Sequence, residues 1–466
     1  MDLRSFFGII PPKLPYADLD APVETLPIPS KVTLLWSEGT PSDLAISEGA
    51  EVKTGQELSQ NGKGLFVSTV TGQVQEIKTF PGPDGNEYVS VVINANPKDS
   101  FDPSLKGVKD FSKAQPSELR SAINRAGFSV LRSIFSDPST SPPIHTLIIS
   151  ALDMDPTSVA NQQAFRDNAG NLEIVIQVLA RSTEASRSVL AVTDNLFNAS
   201  ISLSEGIASI VKVEGVYPNG LPDILAKKFG AGPLMKTSDD GVVSNTLVIS
   251  VEHAVAMVEC LQSGKPFIEK TVTFSAGKDD PLKNFRVRIG TPIGEILRKV
   301  GVEPQPNGKL ILNGTMRGYA CFSDEQPVTP TTESIHLQEP TEIFLYQNTA
   351  CVNCGKCNAI CPVDLEVNLL GRFSEYNIFD KCRDLGAENC IECGLCAYVC
   401  PAHRPLVQMI SHAKHAIQTE AIEEMSMEEA MACDACGPIC PAIRLFESAG
   451  EEGNAPMDQI GGKEQE

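Results

Sequence analysis

Twelve of the fourteen cysteines of this 466-residue chain fall in its last quarter, and eight of them stand in two copies of one short run. Cys351, Cys354, Cys357 and Cys361 precede Pro362; Cys390, Cys393, Cys396 and Cys400 precede Pro401. Both copies read C-x2-C-x2-C-x3-C-P. Three cysteines two residues apart wrap their thiolates around one polynuclear group. The fourth, three residues further and stiffened by proline, points away from it.

That spacing is the ligand pattern of a ferredoxin carrying two 4Fe-4S clusters, in which the fourth cysteine of each run ligates the other cluster. The expected ligand sets are therefore Cys351, Cys354, Cys357 and Cys400 for one cluster, and Cys390, Cys393, Cys396 and Cys361 for the other. Crossed ligation holds the two within electron-tunnelling distance. A tetrahedral zinc site has no use for a third cysteine at this spacing. Disulfide frameworks belong to small secreted domains, so the thiols point to a reducing, cytoplasm-facing location.

A third, incomplete copy follows. Ala430, Cys433, Cys436 and Cys440 precede Pro441, with alanine at the first position. Three thiolates in that register hold a further iron-sulfur centre if a fourth ligand comes from elsewhere, Cys382 being the nearest unassigned candidate. Otherwise the run is a decayed repeat or an interaction surface. Cys260 and Cys321 lie in apolar or strand-like contexts and are expected to be buried and inert.

With 38 basic against 59 acidic residues the net charge is -21, which repels phosphate backbones and anionic lipid and argues against a nucleic-acid partner. Hydrophobic content of 42% with 21% charged residues is that of a globular protein, and the length allows about three or four domains. No segment has the ~18 uninterrupted apolar residues of a membrane-spanning helix; the best stretch, Thr246 to Val258, is broken by Glu252 and His253. The start, Met1-Asp2-Leu3-Arg4-Ser5, has an apolar patch, Phe6 to Ile10, too short for the pattern expected of a signal peptide. Membrane association is thus expected through protein partners alone.

The fold class is multidomain, α/β plus β. Residues 1–100 alternate apolar and polar residues around glycines, as a small sandwich does. The segments Glu48 to Gln56 and Thr71 to Ile77 resemble the biotinyl-lipoyl carrier fold, but the intervening tip Asn61-Gly62-Lys63-Gly64 has no methionine, so Lys63 is read as a solvated turn residue. A polar stretch from Pro97 to Ser117 reads as a linker. From 118 to 250, helical Ser117 to Ala126, strand-like Ile144 to Ile149, helical Ala164 to Arg181 and strand-like Ser188 to Val192 predict a layered α/β domain with a partly parallel sheet, its ligands at the carboxyl ends of strands. From 255 to 345, strand-like Val272–Ser275, Phe285–Ile289 and Lys309–Leu312, with helical Ile293 to Val300, fit a small β-grasp, SLBB-like. Residues 346–412 form the two-cluster ferredoxin-like α domain, and 413–466 a C-terminal extension whose end is expected to be disordered.

This order of modules resembles the C subunit of the Rnf complex, the RnfC family, across nearly the whole chain. The most specific stretches are Gly264-Lys265-Pro266, Arg286-Val287-Arg288 with Gly290-Thr291-Pro292-Ile293, and Asn389 to Cys396 running on through Val399-Cys400-Pro401 to Pro405-Leu406-Val407-Gln408. The resemblance implies a peripheral subunit on the cytoplasmic face of a membrane complex that couples electron flow between ferredoxin and NAD to movement of sodium ions or protons. It also implies kinship with the flavin-binding subunit of respiratory complex I.

The chain departs from the family where FMN and NADH bind. The family's G-G-A-G-F-P-T lets flavin and nicotinamide lie against bare backbone; the matching stretch is Asn124-Arg125-Ala126-Gly127-Phe128-Ser129-Val130. The family's E-C-E-P appears as Asp153-Met154-Asp155-Pro156, and Y-P-x-G-G-E-K as Tyr217-Pro218-Asn219-Gly220-Leu221-Pro222-Asp223. Aspartate in place of lysine near a phosphate turns attraction into repulsion. What remains of such a site is Gly127, Phe128, Asp153 and Asp155, and the expectation is that FMN and NADH binding is lost. The A subunit of the Na+-pumping quinone reductase, which resembles this family without its dinucleotide site, is a precedent. The expected role is an electron relay within an oxidoreductase complex, with ferredoxin, a cytochrome or NADH as redox partner. The alternative is a soluble FMN- and NADH-dependent reductase resembling the cobalamin reductases, and a third reading is a metal-stabilised scaffold.

Overall fold

A computed structural model describes residues 12–60, 66–81, 87–108, 110–111, 113–128, 144–197, 203–230, 242–243, 245–277, 281–343 and 349–431. The chain forms two compact units, Met1–Tyr346 and Gln347–Glu466. Lys63, Cys433, Cys436 and Cys440 lie outside the described residues.

The first unit holds three sheets among its described residues. The smallest is antiparallel, in the order Lys31–Trp36, Glu87–Ala95, Gly72–Pro81, Glu51–Val52. Its first strand reads K-V-T-L-L-W, and the two-residue period of a strand turns Val32, Leu34 and Trp36 inward. Trp36 stacks on Phe66 with ring centroids 5.4 Å apart. Gly39 passes so close that a Cβ there would meet the Trp36 ring at 2.1 Å, so only glycine admits the indole. The strands of this sheet begin at Lys31; upstream, Val23–Thr25 pairs with Lys283–Arg288 of another sheet.

The second sheet runs Ser209–Val213, Arg187–Thr193, Thr146–Ser150, Thr246–Ser250, all parallel, with Val242–Val243 antiparallel at the edge. Thr146–Ser150 is buried at all five positions, as a central parallel strand covered on both faces must be. The chain winds outward from this strand in one direction and then crosses to its other side at Thr246–Ser250. Such a reversal ordinarily opens a crevice at the carboxyl ends of the two strands. The single helix expected over 164–181 is two, Ala160–Asn168 and Leu172–Thr183, because Gly170 and Asn171 are poor helix formers.

The third sheet is mixed, in the order Val23–Thr25, Lys283–Arg288, Glu269–Ala276, Ser334–Gln338, Lys309–Leu312, Tyr319–Cys321. Helix Ile293–Val300 covers it with Ile293, Ile296 and Leu297. This region starts at Glu269 rather than at 255: helix Val251–Ser263 buries Val251, Ala254, Val258 and Leu261 in the core of the parallel sheet. The polar stretch after Pro97, expected as a linker, is stitched down. Arg288 Nη2 donates to Asp99 at 2.8 Å, and Val108 N to Leu261 O at 2.8 Å. Cys260 and Cys321 are half-buried, not buried; partial burial pushes their thiols up to about 12 and about 11.

The second unit is helical among its described residues. Short helices Lys356–Ile360 and Leu395–Tyr398 carry cysteines, while Val367–Glu375 and Phe379–Asp384 pack on the long helix Leu406–Met431. Leu370, Leu406, Ile410, Ala413 and Ile417 form its core. No helix among the described residues is long and apolar enough to cross a membrane.

Candidate metal centre

The two cysteine runs fold as copies of one another, 39 positions apart, down to their unusual backbone angles. Asn353 and Glu392 take φ of 55° and 53°, Gly355 and Gly394 of 71° and 78°, Asp364 and His403 of 58° and 47°. Six left-handed residues in such pairs are costly for all but glycine, and they curl each run so that successive thiols face one side. In both runs the turn points an N–H at the first sulfur: Asn353 N donates to Cys351 Sγ at 3.5 Å and Glu392 N to Cys390 Sγ at 3.4 Å. Past the fourth position, Leu365 N donates to Cys361 Sγ at 3.4 Å.

The thiols then group across the repeat. Cys351, Cys354 and Cys357 line one cavity with Cys400 of the other run. Burial, and after it the neighbouring Cys351, Cys354 and Cys400, pushes the Cys357 thiol up to about 11. The Cys396 thiol is raised first by burial and then by Cys393, Cys390 and Cys361. Crowded thiols of this kind ionise readily only when a cationic group binds them. Among the described residues no three His, Cys, Asp or Glu side chains close on a single metal ion. Four thiols around a space suit a polynuclear group. Cys382, the candidate ligand for a third centre, is fully buried with its Sγ donating to Leu370 O at 3.9 Å, so in this fold it is a core side chain.

Two cations that the sequence did not single out stand beside the thiols. Arg404 lines the Cys351 cavity, is 4% exposed and pairs with Glu375. Lys414, from the long helix, donates to Cys390 O at 3.1 Å and pairs with Glu392. The only signal for them was their place just beyond the second run.

In the first unit the four remnant cofactor residues are otherwise engaged. Gly127 takes φ 84° at the end of helix Pro116–Arg125, and Phe128 is buried, stacked on Phe267 at 4.5 Å. Phe267 N donates to Ala126 O at 2.6 Å, closing this turn onto protein. Asp153 accepts from Asn161 N at 2.8 Å, at the start of helix Ala160–Asn168, and from Gln162 Nε2 at 3.0 Å. Asp155 accepts from Thr157 N at 3.0 Å and Met316 N at 2.9 Å. Both carboxylates are 2% exposed. A cleft nearby is lined by Tyr16, Asp18, Gln162 and Asn195, and these polar groups bond one another or the backbone: Arg166 and Asn195 both donate to Asp18, and Gly220 N to the Tyr16 hydroxyl at 2.8 Å. These residues do not fit a flavin cradle.

Two titratable groups at this edge, buried Asp153 and half-buried His253, set opposing pH trends. Burial pushes Asp153 up to about 7, so its stability contribution is full below about 4 and lost as pH rises through about 7. Burial and then Lys270 push His253 down to about 4, so its contribution is full above about 6.5 and lost as pH falls through about 4. D153N is therefore expected to leave unfolding stability rising between about pH 4 and 6.5, and H253Q to leave it falling between about pH 4 and 7. Urea unfolding at stepped pH reads both slopes; parallel slopes in the two variants would refute the assignment.

Comparison with known proteins follows the same division. The RnfC barrel sandwich hybrid domain matches residues 5–98, and a 4Fe-4S dicluster domain matches residues 343–401. The C subunit of the ion-translocating oxidoreductase complex of Methanosarcina acetivorans is 28% identical over 440 residues, 87% of this chain and 96% of the relative. The C subunit of the Na(+)-translocating ferredoxin:NAD(+) oxidoreductase complex of Acetobacterium woodii is 27% identical over 88% of this chain and 96% of the relative. The proton-translocating counterpart of Clostridium ljungdahlii is 24% identical over 82% and 87%.

Proposed function

The chain belongs to the RnfC family, and from that premise we propose that it is the peripheral electron-transfer subunit of an Rnf-type ion-translocating oxidoreductase complex. Two 4Fe-4S clusters, when bound, supply one-electron relay. Cys351, Cys354, Cys357 and Cys400 hold the first, and Cys390, Cys393, Cys396 and Cys361 the second. The observation that carries this is the exchange of the fourth thiol between two runs that share their backbone turns.

The residues around the thiols hold sulfur lone pairs with N–H groups and cover the second set from water, which fixes both sets without moving parts. Gly127, Phe128, Asp153 and Asp155 serve the fold, and the FMN and NADH site is lost. Residues 269–338 act as an SLBB-like β-grasp. The partners are other subunits of the complex on the cytoplasmic face of the membrane, with ferredoxin or a cytochrome as the redox partner.

Anaerobically purified full chain is expected to contain about eight irons and eight acid-labile sulfides, absorb broadly in the visible, release no FMN, and keep its visible spectrum when NADH is added. Bound FMN with bleaching by NADH would favour the reductase reading. Zinc in place of iron would end the proposal.

A further inference from the structure

Because the two runs repeat at 39 positions, each residue beside one set of thiols has a counterpart beside the other, and the charges differ systematically. At the left-handed position between the first two cysteines stands neutral Asn353 in one run and Glu392 in the other. After the fourth cysteine, Asp364 follows Cys361, which joins the second set, whereas His403 and Arg404, the latter paired with Glu375, follow Cys400, which joins the first. Lys356 precedes Cys357 where Leu395 precedes Cys396.

The nearby cations widen the difference. Arg372 donates to neutral Asn353 and has no ion-pair partner among the described residues, while Lys414 pairs with Glu392. Exposure runs the same way: Val352, Asn353 and Cys354 are exposed, whereas Ile391 and Cys393 are buried and Glu392 is half-buried. Positive charge and water both favour an added electron on an anionic thiolate group; negative charge and burial oppose it.

We infer that the site of Cys351, Cys354, Cys357 and Cys400 is the higher-potential centre and takes the first electron, and that the site of Cys390, Cys393, Cys396 and Cys361 is the lower-potential one. Electrons then pass from the buried centre toward the exposed, cation-rimmed one. This rests on the two-cluster reading above.

Redox titration of the anaerobic full chain with dithionite, followed by EPR, is expected to resolve two one-electron waves. R372Q should lower only the upper wave and E392Q should raise only the lower one, each by about tenfold in the reduction equilibrium, or about 59 mV. Coincident waves in the unaltered chain overturn the order, as does R372Q moving the lower wave, E392Q moving the upper, or neither moving with full iron. Where one variant loses iron the other decides; where both do, K414Q decides, expected to depress the lower wave and overturning the order if it depresses the upper. A chain with fewer than about eight irons fails the two-cluster reading instead.

Discussion

Replacing Cys361 with alanine is expected to empty the centre that its own run does not build. Cys361 caps helix Lys356–Ile360, four positions beyond Cys357. Yet after burial, which is the main cause, its sulfur is among the neighbours that raise the thiols of Cys390 and Cys396 in the other run, as Cys400 is for Cys357. C361A and C393A should therefore lose the same EPR signal and about half of the iron, while C400A and C354A lose the other signal. The exchange is the point of the test. If each run served its own cluster, C361A would match C354A and C400A would match C393A. Because Cys361 is buried and carries a hydrogen bond from Leu365 N, the variant also removes a core contact, so circular dichroism of the helical unit should accompany the spectra. A fold that survives with both signals intact would remove Cys361 from the ligands.

The grouping of the thiols was legible because cysteine spacing is a local code. Spacing of two, two and three residues with a terminal proline fixes which side of the backbone each sulfur takes, and the structure places the left-handed turns of Asn353, Glu392 and the paired glycines where that spacing needs them. Helix Ile293–Val300 and strand Lys309–Leu312 were equally plain, since their apolar periods match their elements. What escaped reading came from contacts distant in sequence. Val23–Thr25 carries too few residues to announce a strand, and its pairing with Lys283–Arg288 is decided by the sheet it joins. Helix Val251–Ser263 looks like part of the following module until its apolar face meets the parallel sheet. The cations beside the thiols, Arg404 and Lys414, belong to no motif, because a cation needs only to arrive in space.

Substituting Lys270 with methionine is expected to destabilise the first unit by ~3–5 kcal/mol, the usual cost of stranding one member of a buried ion pair. Lys270 is 2% exposed and its Nζ lies 2.8 Å from Glu252 Oε2. Burial alone would raise the Glu252 carboxyl; the Lys270 charge, helped by His253 and a hydrogen bond from Thr271 N at 3.2 Å, holds it below the usual range. Without the ammonium, the carboxylate must stay charged in a dry site or take up a proton, and half-buried Glu333, whose carboxyl desolvation pushes up and the same ammonium partly pulls back, loses that attraction too. Glutamine at 252 keeps an acceptor for the Thr271 N–H, so E252Q combined with K270M should recover most of the loss, read as a coupling energy in urea unfolding at neutral pH. The pair sits where Thr246–Ser250 gives way to helix Val251–Ser263, at the crevice a parallel sheet ordinarily offers to a nucleotide. Here the crevice's strongest charges neutralise each other and its amide, Glu252 N, is bonded to Asn161 Oδ1 at 3.3 Å. If that filling closes the crevice to FMN and NADH, saturating either should leave the unfolding midpoint of the unaltered chain where it is, since a ligand bound only by the folded state would raise it. A rise in the midpoint, or a double variant as unstable as K270M alone, would show that the pair is not what closes the crevice.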